Sequence, residues 1–187
     1  MTEKFELTNQ TIKKEFLSLL QTNKVYKLTI NQICDKANIS RITFYRHYSD
    51  KYELLEDVNN DKINVLQNYI RQRLHEKDIS RILLQMTKFL EKDAGDLKQL
   101  FKIKKIENQS SLEDKLKDLL QTEFSTYITK ERSKTSIRDI PITYLSELYA
   151  ANATIFIKYS LQSGTDQKLV ASLNTMQTLI LEFLKTK

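Results

Sequence analysis

Glycine and proline are nearly missing from this chain: Gly95, Gly164 and Pro141 are the only ones in 187 residues. Sheet proteins need many turns and usually place Gly or Pro in them. Their scarcity argues against a sandwich or barrel and for long helices with few interruptions. Cysteine is represented by Cys34 alone, which excludes an intrachain disulfide and points to a reducing compartment. Histidine is limited to His47 and His75. No cysteine or carboxylate cluster joins them in the sequence, so no metal site is expected. There is no phosphate-cradling glycine loop and no nucleophile–base pairing at a workable spacing. The expectation is therefore a protein that is not an enzyme and carries no cofactor. No apolar run approaches the roughly 18 residues of a membrane helix, and residues 1–9 are polar and mixed in charge, unlike a signal peptide. A cytoplasmic chain without a membrane partner follows as the expectation.

What is present suits one domain or two small ones, with enough length to bury a sizeable core. Hydrophobic residues make up 40% and charged residues 29%, so the chain is not a disordered tail. The net charge of +6 is compatible with nucleic acid, but a bland solvated surface gives the same sum. A local motif has to give the charge its meaning.

Apolar periodicity outlines the helices. The first spans 8–20, striped by Ile12, Phe16, Leu19 and Leu20, with Thr8 or Asn9 as its cap. The polar stretch 21–27 reads as a connection. Thr29 opens the second helix with a capping box, a hydroxyl followed three positions on by Gln32; Ile30, Ile33 and Ala37 face inward. Asn38 suits the turn because asparagine tolerates a left-handed backbone, and Ile39 plugs the gap between helices. Ser40 caps a third helix running to His47, with Phe44 facing the core. Asp50 caps a long fourth helix whose apolar face runs through Leu54, Leu55, Val58, Ile63, Leu66, Ile70 and Leu74. It leaves no linker before the remainder. Further helices are expected at 80–91, 95–106 and 111–127, a charged loop at 130–138, and helices at 141–162 and 166–185. Pro141 suits a helix start, and Gly164 a helix end.

Residues 28–55 therefore read as a helix-turn-helix, and its third helix carries the groups that DNA requires. Such a helix fits the major groove while the preceding one crosses the backbone. Arg41 and Arg46 can fork onto guanine or onto phosphate, and Thr43 can bond a base edge or touch a thymine methyl. Ile42 offers only apolar contact. Asn31 completes the expected base-contacting set of Asn31, Arg41, Ile42, Thr43 and Arg46. Thr29, Ser40, Tyr45, His47 and Lys51 form the expected phosphate set. Lys51 sits in the first turn of a helix, where a cation opposes the dipole, and a nearby anion would account for it. Taken singly, each residue has a plainer reading: Tyr45 as a packed aromatic, the arginines as solvated charge. Their clustering on one short helix is what those readings leave unexplained.

The segment resembles the DNA-binding region of the TetR family of bacterial regulators. The carrying residues are Thr29, the turn Ile33-Cys-Asp-Lys-Ala-Asn-Ile-Ser40, then Thr43-Phe44-Tyr45, Tyr48 and Lys51. Asn38 stands where the family usually has Gly, and Cys34 where Ala is common. The resemblance implies an all-α chain with a three-helix DNA-binding domain over 1–52. A long helix joins it to a helical dimerisation and effector domain over 53–187. It implies a homodimer on a palindromic double-stranded DNA operator, with the last two helices forming the interface. Tyr159, Leu169, Leu173, Met176 and Ile180 are the candidates there. It also implies a small-molecule effector among the middle helices. Phe89, Phe101, Phe124, Tyr127, Tyr149 and Phe156 are candidate lining residues, against the reading that they are plain core. A repressor released by its effector is the leading expectation. The stretch 149–159 is also similar to the subgroup that includes the dihydroxyacetone-kinase operon activator, which motivates the alternative of control by a protein partner. Cys34 is expected as a packed residue, and the lysines within 102–105 as a solvated helix face.

Overall fold

A computed structural model of the chain describes residues 3–75, 79–106, 109–133, 139–164 and 166–184. Among them every extended element is a helix. The order is α1 (Glu3–Leu20), a turn of 3-10 helix (Val25–Lys27), α2 (Ile30–Ala37), α3 (Arg41–His47) and α4 (Lys51–His75). Then come α5 (Ile79–Lys92), α6 (Ala94–Lys102), α7 (Leu112–Arg132), α8 (Ile142–Ser163) and α9 (Gln167–Leu184). The fold is all-α, with an N-terminal helix-turn-helix followed by a helical remainder. Residues 134–138 of the expected loop and Lys185 of the expected last helix lie outside the described residues.

The helix ends follow the expected local chemistry. The Thr29 side chain accepts from the Gln32 amide while Gln32 Oε1 accepts from the Thr29 amide at 2.9 Å, completing the capping box. Asn38 closes α2 at φ 52 and ψ 49, and Gly164 closes α8 at φ 83. The Ser40 hydroxyl accepts from the Thr43 amide at 3.0 Å. Asp50 Oδ1 accepts from the Glu53 amide at 2.8 Å, and Glu53 reaches back to the Ser49 amide at 2.6 Å.

Three boundaries differ from the sequence reading. α1 begins at Glu3, and the Thr8 hydroxyl donates to the Lys4 carbonyl at 2.9 Å instead of capping. The added turn is held by a distant partner, since the Phe5 ring stacks on His47 at 3.9 Å. α6 stops at Lys102, where the Ile103 amide tightens onto the Leu100 carbonyl at 3.1 Å. α7 continues to Arg132, so Lys130 is helical and not loop; the Arg132 guanidinium donates to the Ile140 carbonyl.

The chain divides into two compact units. One comprises Met1–Lys62 with Gly95–Ser111, the other Ile63–Ala94 with Leu112–Lys187. In the first, Ile12 and Phe16 of α1, Ile33 of α2, Phe44 of α3 and Leu54 of α4 are fully buried. A polar clamp flanks them: the Tyr48 hydroxyl donates to Asp57 Oδ2 at 2.8 Å and lies against the Asn9 side chain. Lys13 Nζ contacts Asp57 at 2.8 Å and Asp61 at 2.6 Å.

In the second unit α7 and α8 pack along their lengths. Leu112, Leu116, Leu119, Leu120 and Phe124 are all buried, as the expected stripe requires. Glu123 is also buried, accepting from Gln67 Nε2 and Arg71 Nε at 2.8 Å each.

The clamp makes the first unit acid-sensitive. Burial works against the Asp57 carboxylate, but Lys13 and the Tyr48 hydroxyl together hold it below its usual value of 3.8. Burial likewise opposes the Lys13 charge, but Asp57 and Asp61 hold its pKa above 10.5. A depressed carboxylate contributes stability above its unfolded pKa and loses it as pH falls through the folded one. A raised lysine contributes below its unfolded pKa and loses it as pH climbs through the folded one. Stability from this clamp should therefore be level between about pH 5 and 9 and fall below about pH 4. Thermal melts of Asp57→Asn should show a shallower acid slope than the parent, and equal slopes would rule out the clamp as the cause.

Candidate nucleic-acid interface

α3 has seven residues, too few to hold a helix in isolation. Two features stabilise it: the Ser40 cap and Phe44, the one buried residue it has. With Phe44 inward, Arg41, Ile42, Tyr45 and Arg46 stand exposed on the opposite face. Ile42 is 71% exposed, the most open of the large apolar side chains among the described residues. Arg41 and Tyr45, one turn apart, form a unit: the guanidinium donates to the Tyr45 hydroxyl at 3.3 Å and lies 5.8 Å from its ring. Because that hydroxyl accepts from Arg41, its own proton remains available to a further acceptor.

The other residues singled out from sequence are placed differently. Asn31, Thr29 and Ser40 are exposed. Thr43 is half-buried, and its hydroxyl sits 2.9 Å from that of Ser40. His47 is half-buried against Phe5, its Nδ1 is without a hydrogen-bond partner, and burial pushes its pKa down. Lys51 needs no anion to explain its position. Its ammonium donates to the Leu28 carbonyl at 2.7 Å and the Tyr26 carbonyl at 3.0 Å. Burial lowers its pKa. The dipole argument anticipated a negative partner, and backbone carbonyls supply the negative ends. An ammonium has three donors, so one N–H remains beyond these two bonds.

Sequence reasoning passed over Lys24 and Tyr26. Tyr26 is exposed, its carbonyl holds Lys51, and Lys24 Nζ lies 6.0 Å from its ring. The basic and aromatic residues interleaved in Lys24-Val-Tyr-Lys27, just before the Thr29 cap, were the available signal.

The aromatics expected around an effector fall in both units. Phe101 belongs to the first unit, and Phe89, Phe124, Tyr127, Tyr149 and Phe156 to the second. Phe124 and Tyr149 stack on each other at 4.3 Å and are buried, as is Phe156. Tyr127 and Phe89 are half-buried, the latter 5.9 Å from Tyr69. Burial raises the Tyr149 pKa despite the Arg73 guanidinium beside it. Of the expected interface residues, Tyr159 and Met176 are exposed and Leu169 and Ile180 half-buried. Leu173 departs from the expectation, being 7% exposed and part of the chain's own core. Cys34 is buried, and burial together with Asp35 pushes its thiol up, which suits a packed residue more than a reactive one. Among the described residues, no group of three or more His, Cys, Asp or Glu could hold a metal ion. No described helix is long and apolar enough to cross a membrane.

Residues 18–58 match the family model described as bacterial regulatory proteins of the tetR family. Over 56 residues the chain is 34% identical to the uncharacterized HTH-type transcriptional regulator YxbF of Bacillus subtilis (strain 168). That stretch covers 30% of this chain and 15% of the relative's own length. Solved structures share the fold over nearly the whole chain. Salmonella enterica GusR superposes with a TM-score of 0.72 at 16% identity, covering 97% of this chain and 98% of that one. The dihydroxyacetone kinase operon activator DhaS superposes at 0.66 with 19% identity, covering 96% and 98%. A TetR transcriptional regulator from Streptococcus agalactiae 2603V gives 0.64 at 20%, covering 97% and 96%. At these identities the likeness speaks for the fold. The match over residues 18–58 falls on the helix-turn-helix, and it marks this segment as similar to the DNA-binding region of bacterial regulatory proteins of the tetR family.

Proposed function

We propose that this protein is a homodimeric regulator that binds a palindromic DNA operator and is a repressor released by a small-molecule effector. The observation that carries the reading is the uncovered face of α3, where Arg41, Ile42, Tyr45 and Arg46 stand together above the Phe44 anchor. Arg41, Arg46, Ile42, Thr43 and Asn31 read base edges, with Ile42 suited to a thymine methyl. Thr29, Ser40, Tyr45 and His47 hold phosphates, and Lys51 adds its third N–H to them while bracing the turn before α2. Phosphate contacts set position and base contacts set sequence. The DNA-reading residues lie within 1–52, and 53–187 serves dimerisation and control. Effector binding shifts the dimer toward a form whose two α3 helices no longer match the half-site spacing.

Control by a protein partner, with activation in place of repression, is the second reading. It is favoured by the Phe124–Tyr149 stack, which fills with side chains a region where an effector was expected.

Genomic fragments selected on the purified protein and then footprinted test the proposal. A protected palindrome is the expected result. Arg46→Ala should then cost about 1–3 kcal/mol at one base pair of each half-site and relax the preference there. Binding that depends only on salt, with no preferred site, would defeat the operator reading.

A further inference from the structure

The first unit contains a cleft of about 610 Å³ to which no residue of α3 contributes. Its walls come from the end of α1, the 3-10 turn, the start of α4, and the last turn of α6 with the stretch after it. The floor is apolar: Leu20 and Val25 are buried there, and Ile103 and Ile106 half-buried. Tyr26 and Tyr52 contribute aromatic wall. The stretch after α6 is held in shape by paired backbone bonds between Ile106 and Gln109, at 3.3 and 2.8 Å.

The charged part of the lining is of one sign. Lys24, Lys102, Lys104 and Lys105 all line the cleft, and among its described lining residues there is no Asp or Glu. Ammonium groups gathered around one concavity raise its potential, and an anion placed among them relieves the repulsion. The sequence reading of 102–105 as a solvated helix face does not account for this, because α6 ends at Lys102 and the following lysines turn along the cleft. Shape separates two kinds of anion. A DNA backbone needs exposed cations but no apolar floor. A concave, mostly apolar site with a few convergent charges is the form that small molecules take, and the volume lies within their usual range of about 300–1,000 Å³.

We propose that this cleft binds a small amphipathic anion, a carboxylate or phosphate head group on an apolar body, and so places an effector site inside the DNA-binding unit. The head group pairs with the lysines and the body lies on Leu20, Val25 and Ile103. Tyr26 links the site to α2, because its carbonyl is one of the two that Lys51 holds, and Thr29 follows three residues later. An occupant bracing Tyr26 and Tyr52 changes how readily this segment adjusts to a duplex. That regulatory consequence rests on the DNA-binding reading; the binding itself does not.

The chain has no tryptophan, so Tyr26→Trp, at an exposed wall position, creates a single fluorescent reporter. Decanoate, decyl phosphate and decanol are titrated into this protein below their aggregation concentrations. Both anions should produce a saturable change, and decanol should need at least about tenfold more. Lys102→Gln with Lys105→Gln, on the same background and with an unchanged melting temperature, should weaken both anions by about tenfold or more. The ratio of decanoate to decyl phosphate affinity identifies the preferred head group. Equal binding of decanol, an unaffected double variant, or no saturable change would each overturn the site. So would a double variant that loses salt-dependent affinity for random duplex while decanoate binding persists, since the lysines would then be backbone contacts. Failure of operator selection would leave the decanoate result standing, and loss of decanoate binding would leave the operator reading standing.

Discussion

Phe44→Ala should remove about 3–5 kcal/mol from the stability of the first unit. The side chain is fully buried and is the one buried residue of α3. A seven-residue helix has too little internal hydrogen bonding to offset its own ordering entropy, so α3 depends on this anchor more than a longer helix would. Domains have only about 5–15 kcal/mol in total. The variant should therefore have the first unit largely or marginally unfolded at physiological temperature, with DNA binding lost because the exposed face of α3 no longer exists as a surface. Urea unfolding followed by helical circular dichroism measures it. A loss under about 1 kcal/mol would mean that α3 is held by its caps and not by packing.

The second large effect concerns the last two helices. α8 exposes Tyr144, Leu148, Ile155 and Tyr159, and α9 exposes Met176, Leu179 and Phe183. On each helix these positions recur at three, four or seven residues, which is one face. Exposed apolar residues aligned on one face of a helix mark an interaction surface, and a second copy is the occupant that the proposed function requires. Ile155→Asp with Leu179→Asp should weaken the dimer by about 4 kcal/mol or more, roughly a thousandfold, if each is a hot spot of about 2 kcal/mol. Sedimentation should then give the monomer mass, with helix content kept because both side chains are exposed in the single chain. Affinity for a two-half-site operator should fall on the order of 10²–10⁴-fold as bivalent binding is lost. A dimer mass that survives the double substitution would remove this face from the assembly. Leu173, one of the interface candidates read from sequence, is the wrong probe: it is buried, so a charge there would destabilise the second unit, and dissociation would be only a by-product.

Legibility varied from residue to residue in a physically consistent way. The Thr29–Gln32 box, the Ser40 cap, left-handed Asn38 and Gly164, and the α7 stripe could all be read directly. Each depends on partners within about four positions or on the repeat of one helix. The face of α3 was legible for the same reason as far as Phe44 inward sets Arg41, Ile42 and Arg46 outward; Thr43, expected beside them, is half-buried with its hydroxyl against Ser40, and Tyr45 stands exposed instead. The role of Lys51 was not. Its acceptors, the Tyr26 and Leu28 carbonyls, lie 25 and 23 residues earlier in the chain, and a local dipole argument substituted an anion for them. The first turn of α1 was missed because Phe5 finds its partner at His47.

Composition and periodicity alone thus settled the helical class, the caps of α2, α3 and α4 and the inward anchor of α3. These follow from backbone geometry and from the entropy of short-range order, which neighbouring residues set. Tertiary packing alone decided that 95–111 belongs with the N-terminal helices, that Leu173 turns inward while Met176 turns out, and that four lysines from separate segments line one cleft. Such pairings close long loops, and the burial they bring is a property of the whole packed unit. No window along the chain contains it.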